Sequence, residues 1–248
     1  MARFDIGGAS SRPTGFEAAM RDRDIRRELE PQMGATRREQ PAPKPAEVER
    51  AYTSAPAPIR QEAMTSQIDE LPLPMQTVKW ESRFDKLGNP VVYKLPAGDM
   101  GGNFEISGIN DRYHPEAFKA ISSLPPEQRA EAAAEYVRAY TAPLVSQLPK
   151  PMQAFTQDLA FNRGLGGATR YLQQGLNALG QNVSVDGRLG PKTIQAIQSV
   201  QPRALMQAAS QAQLEDEYRR AELDPSRKKF IQGLENRVRN RFATLGQI

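Results

Sequence analysis

Cysteine is absent from this 248-residue chain and histidine occurs once, at position 114. The first absence excludes disulfides and thiolate metal sites, and the second excludes a histidine-rich metal centre, so stability is expected to come from packing alone. No apolar run approaches the ~20 residues that cross a bilayer. The opening MARFDIGGASSRPTG also lacks the apolar core of a secretory signal. No membrane span and no signal peptide are expected.

Large apolar residues are scarce over residues 1–74, where Pro13, Pro31, Pro41, Pro43, Pro45, Pro56, Pro58, Pro72 and Pro74 stand among many Arg and Glu. Such a composition cannot bury enough surface to offset the entropy of ordering it. It predicts an extended or disordered N-terminal arm, in which Gly15 to Glu30 can form a charged helix when docked on a partner. Charge of one sign is not scarce at the other end. The formal net charge is only +4, yet Arg219, Arg220, Arg227, Lys228, Lys229, Arg237, Arg239 and Arg241 crowd the C-terminal stretch. A basic face can attract polyanions, but a run of this kind is expected to be a solvated helix face, and a nucleic-acid partner is not expected.

From about residue 75 the pattern is mainly helical. Ser123 to Glu127 opens a helix that carries Ala133, Val137 and Tyr140 and is expected to end at Pro143. Pro151 starts another, with Phe155, Leu159 and Asn162 on one stripe, closing at Gly164; Gly166 to Gly180 makes the next. Asp186-Gly187 reads as a tight turn before a helix with Pro191 in its first turn. Segments of about 202–222 and 225–243 complete the chain, the second with Phe230, Leu234, Val238 and Phe242 at helical spacing. Only Val91-Val92-Tyr93 and its neighbours look like strand, as a short hairpin after Gly88-Asn89-Pro90. His114-Pro115 reads as an exposed helix start. The fold class is mainly α with a small β element.

Between Trp80 and Tyr113 the chain collects the parts for cutting a glycosidic bond. That chemistry needs one carboxyl group that donates a proton to the leaving oxygen and usually a second that acts on water or on the sugar. Glu81, beside Trp80, suits the first role, because an acid in a partly dry aromatic cleft has its ionised form disfavoured. Asp99 and Glu105 are the candidates for the second, ahead of Asp85 and Asp111. Gly101 and Gly102 allow close approach of the backbone to a sugar ring. The alternative reading of the same residues is a solvated Glu at a helix end followed by a plain turn.

The order Glu81, Asp99-x-Gly-Gly, Ser107-Gly108-Ile109, Phe161-Asn162-x-Gly164, Leu172-Gln173, Asp186-Gly187-x-x-Gly190-Pro191-x-Thr193 and Phe230-x-x-Gly233-Leu234-x-Asn236-Arg237 resembles glycoside hydrolase family 108 across about residues 75–243. These are lysozyme-like N-acetylmuramidases of bacteria and phages with a small C-terminal peptidoglycan-binding region. The resemblance implies a lysozyme-like catalytic domain over 75–164 and a helical peptidoglycan-binding-like region over 165–248, preceded by the 1–74 arm. It implies Glu81 as the essential acid, with Asp99 to Gly102 lining the other side of the cleft. Phe84 supplies an aromatic wall, and Phe104 and Asn162 join the substrate-binding set. Glu81 is followed by Ser82-Arg83-Phe84 where the family has Gly-Gly-Tyr. Asn103-Phe104-Glu105 stands where the family places a Thr, so Glu105 can replace that Thr as a base.

The function expected is cleavage of the β-1,4 bond between N-acetylmuramic acid and N-acetylglucosamine, with no metal or organic cofactor. The setting expected is a phage virion, with the lysin acting in the host periplasm and cell wall. The arm would then dock on tail or internal virion proteins. The alternatives are a virion structural protein that binds peptidoglycan without turnover and a holin-dependent endolysin.

Overall fold

A computed structural model describes residue 68, residues 70–96 and residues 102–246. The candidate helix Gly15 to Glu30, nearly all of the 1–74 arm, Asp99 and Gly101 lie outside the described residues.

The architecture is mainly helical with a three-stranded antiparallel sheet. Helix α1 (Met75–Glu81) starts after Pro74 and stops at Glu81, where Ser82 turns to extended backbone. The sheet follows in the order β1 (Tyr93–Lys94), β2 (Phe104–Ile106), β3 (Ile109–Asn110). Phe84 and Pro90 form an isolated bridge ahead of the point where the short hairpin was expected; of Val91-Val92-Tyr93 only Tyr93 is strand, and it pairs with the more distant Glu105. Strands β2 and β3 were not legible as strands. They are joined by Ser107-Gly108, both at positive φ (53° and 77°), the backbone of a two-residue hairpin turn that pairs Ile106 with Ile109.

Helix α2 (Pro115–Ser122) carries Pro115 in its first turn. A 3-10 turn, Pro126–Gln128, then leads into α3 (Arg129–Val145). Pro143 lies inside α3 and does not end it. Near a helix terminus a proline forfeits one backbone hydrogen bond, and Leu144 and Val145 beyond it are both buried. Helix α4 (Lys150–Ala178) is two arms joined at Gly164, whose φ of 70° and ψ of 165° are not helical. That break falls where the sequence places the end of one helix and the start of the next. Helices α5 (Pro191–Gln198), α6 (Pro202–Leu223) and α7 (Lys228–Leu245) complete the described chain.

Two cores result. One gathers Val78, Ile106, Ile109, Ile121, Ala133, Val137 and Phe161, binding α1, the sheet, α2 and α3 to the first arm of α4. The other runs from Leu144 and Met152 through Phe155 and Leu159 to Leu172, Leu176, Ile197, Leu205 and Met206. The first arm of α4 is their common wall, since Phe161 faces one core and Phe155 and Leu159 the other. Among the described residues no helix is long and apolar enough to cross a membrane.

Packing is not the only support. Arg227, Arg237 and Arg241, read from sequence as part of a solvated basic face, turn inward, while Arg239, between the latter two on α7, stays exposed. Arg227 pairs with the buried Glu217, which also meets Arg163 at 2.6 Å. The face is therefore much less basic than the residue count implies.

Candidate functional site

Glu81 is the last residue of α1, and its side chain is only 2% exposed. Its Oε1 accepts two hydrogen bonds, from Asn162 Nδ2 on α4 at 2.8 Å and from Arg237 Nη2 on α7 at 2.9 Å. The β2–β3 turn presses on it from a third side: a Cβ added to Gly108 would lie 3.3 Å from Glu81 Cβ and 2.9 Å from Phe161 Cε1. Glycine is required there both by its φ and by that approach. The hydroxyls of Ser82 and Ser107 meet at 2.8 Å, tying the end of α1 to the same turn.

Glu105 lies on β2 directly opposite Tyr93 of β1 and is buried. The Tyr93 hydroxyl donates to Glu105 Oε1. Burial pushes the Tyr93 phenol well above its ordinary range, and the negative charges of Glu105 and Glu81 push it further in the same direction. The guanidinium carbon of Arg83 sits 3.9 Å from the Tyr93 ring centroid and opposes that shift.

The remaining expected site residues divide. Phe84 and Phe104 are exposed, at 44% and 43%, beside the buried pair in sequence. Asn162, expected to contact substrate, is buried and spends its amide on Glu81. Gly102 has a φ of 109° and is packed so closely on the Asp111 carboxylate and on Arg112 that no Cβ fits, so its first use is in the fold. Asp85 and Asp111 brace turns: Asp85 Oδ1 accepts from the Leu87 and Asn89 amides at 2.8 and 2.9 Å, and Asp111 Oδ1 accepts from the Asn103 amide at 2.8 Å. Asp99 and Gly101 are outside the described residues, so their position relative to Glu81 is not part of this geometry. His114 is half-buried at the start of α2, with Nδ1 2.6 Å from the Tyr136 hydroxyl, and is not the exposed residue expected.

Sequence reasoning missed what lies behind Glu81. Arg237 also meets Asp158 at 2.6 Å, and Asp158 meets Arg241 Nε at 2.6 Å. Arg241 Nη1 in turn donates to Gln213 Oε1 at 2.7 Å. The guanidinium carbon of Arg237 lies 4.9 Å from the Trp80 ring centroid. Burial pushes the Asp158 carboxyl up, but Arg237 and Arg241 outweigh it and hold the group well below the usual carboxylate range. The only sequence signal was Asn236-Arg237 within the C-terminal motif. Among the described residues no cluster of His, Asp or Glu comes together that can hold a metal ion.

The motif from Leu172-Gln173 to Thr193 forms a clasp. Gln173 is buried, donates to Asp186 Oδ1 at 2.8 Å and to the Arg188 carbonyl at 3.0 Å, and accepts from the Gly187 amide at 2.8 Å. These residues build the turn between α4 and α5.

Residues 167–239 match the model of a family described as a predicted peptidoglycan domain. That stretch includes the Gln173 clasp, α6 and Arg237, and the match supports a peptidoglycan-related function with peptidoglycan as the partner. Among solved structures the chain is similar to Brucella abortus SagA, with 16% identity and a TM-score of 0.49, over 75% of this chain and 94% of that one. A search of curated protein sequences finds no match.

Proposed function

We propose that this protein is a peptidoglycan hydrolase of the N-acetylmuramidase type, with Glu81 as the general acid. The observation that carries the proposal is that Glu81 closes α1 against the β2–β3 turn and Glu105 stands on β2 of the same hairpin, both buried, in a chain whose 167–239 stretch matches a peptidoglycan domain. In this reading Glu81 delivers a proton to the leaving glycosidic oxygen. Glu105 or Asp99 steers water or offsets the positive charge that develops on the sugar. Phe84 and Phe104 offer exposed rings for a sugar face. No cofactor takes part.

The test is clearing of purified cell walls. The parent protein is expected to clear them, and Glu81→Gln, folded and still bound to walls, is expected not to. Equal rates from the two proteins would sink the assignment.

One observation favours a second reading. Glu81 is 2% exposed and already engaged with Arg237 and Asn162, as a purely structural carboxylate would be. A wall-binding protein without turnover is the function in that case, and it predicts binding without release of reducing ends from either protein. The phage setting is a further part of the proposal and rests on the proline-rich stretch before residue 75 as a docking arm for virion proteins. Its test is whether the chain is present in purified particles.

A further inference from the structure

The geometry points to Arg237 as a positioning residue through which the stretch that matches the peptidoglycan family aligns Glu81; the inference rests on Glu81 being the acid of the proposed reaction. Arg237 lies on α7, 156 residues from Glu81, inside the stretch that matches the peptidoglycan family. Its side chain is 10% exposed and is fixed from several directions. Nη2 sits 2.6 Å from Asp158 Oδ1, Nε sits 3.3 Å from Asp158 Oδ2, and the guanidinium faces the Trp80 ring at 4.9 Å.

Asp158 cannot drift, because Arg241 binds its Oδ2 at 2.6 Å and is itself wholly buried. The same Arg237 Nη2 reaches Glu81 Oε1 at 2.9 Å. Asn162 donates to that oxygen as well, so two donors from two helices set the rotamer and plane of the carboxyl group. The planar fork of arginine can span two carboxylates, whereas the ammonium of lysine is a single point charge. Docking of α7 and alignment of the acid are thus one event. A displacement of about 1 Å at a reacting group is enough to cost on the order of 100-fold in rate.

The experiment uses the full-length protein and two substitutions. Arg237→Met is expected to lower kcat on purified peptidoglycan about 100-fold while KM and wall pull-down change by less than about twofold. Arg237→Lys is expected to fall between Met and the parent, because it restores the charge without the fork. A second readout needs no turnover: carbodiimide-driven amine labelling of carboxylates, read by mass spectrometry. Glu81 is expected to label slowly in the parent and several-fold faster in Arg237→Met. Should that variant not fold, Arg237→Lys carries both measurements, with a smaller change in the same directions. Parent-like kcat and parent-like Glu81 labelling in the folded variant overturn the proposal. A parent that releases no muropeptide defeats the hydrolase reading alone; faster Glu81 labelling in the variant then still supports positioning by Arg237, and unchanged labelling overturns it.

Discussion

Arg241 has no exposed surface, and its Nε lies 2.6 Å from the equally buried carboxylate of Asp158, 83 residues away in sequence. The pair joins α7 to the first arm of α4, and Arg237 extends it to the end of α1. Breaking a buried pair by removing one charge leaves the other uncompensated. Asp158→Asn is therefore expected to destabilise the protein by about 3–5 kcal/mol. Urea unfolding followed by circular dichroism checks the value, and a loss under about 1 kcal/mol would place the charges nearer water than this geometry does.

The same carboxylate sets the response to acid. Asp158 is held low in the folded state by Arg237 and Arg241 against the opposing effect of burial, and Asp216 is lowered by Arg220 and Tyr171 against the same effect. Below the ordinary Asp value of ~3.9 the unfolded chain takes up protons that these folded carboxylates refuse, so stability falls as pH falls. The contribution is complete above that value and is lost toward the low folded values. Midpoint urea concentrations are expected to drop steadily between about pH 5 and pH 2. A flat profile over that window would contradict the buried network.

Gly108 offers a test of the hairpin against Glu81. At a φ of 77°, with a Cβ bound to strike Phe161 at 2.9 Å, Gly108→Ala must strain the turn or push it off the end of α1. The left-handed conformation alone costs about 1–2 kcal/mol. Loss of stability of at least that size is expected, together with loss of wall clearing at temperatures where the variant remains folded. Parent-like clearing would mean that the turn is not part of the site.

Gln173 tests the clasp. Gln173→Ala removes the acceptor of the Gly187 amide and a donor to Asp186 in one step. A cost of about 1–3 kcal/mol is expected, with faster hydrogen exchange at the Gly187 amide. Exchange as slow as in the parent would show that the turn holds itself.

Much of the helical plan was legible because prolines and glycines mark it. Pro115, Pro191 and Pro202 open helices, Gly164 breaks α4, and Asp186-Gly187 turns the chain into α5. Glu81 was placed by Trp80 beside it and by the family resemblance, and it closes α1. Strands β2 and β3 were not, since three residues and two residues are too short to show an alternation and owe their register to the Ser107-Gly108 turn. Pro143 misled because local propensity yields to the burial of the residues beyond it. The buried arginines were hidden for a different reason. Arg227, Arg237 and Arg241 find their acids 10 to 156 residues away on other helices, and charge counted along one segment carries no record of that.

The most direct measurement is mass spectrometry of muropeptides released from purified peptidoglycan by the parent and by Glu81→Gln. Products with a reducing N-acetylmuramic end are expected from the parent and none from the variant. Equal product from both, or none from either while wall binding persists, would contradict Glu81 as the acid of a muramidase.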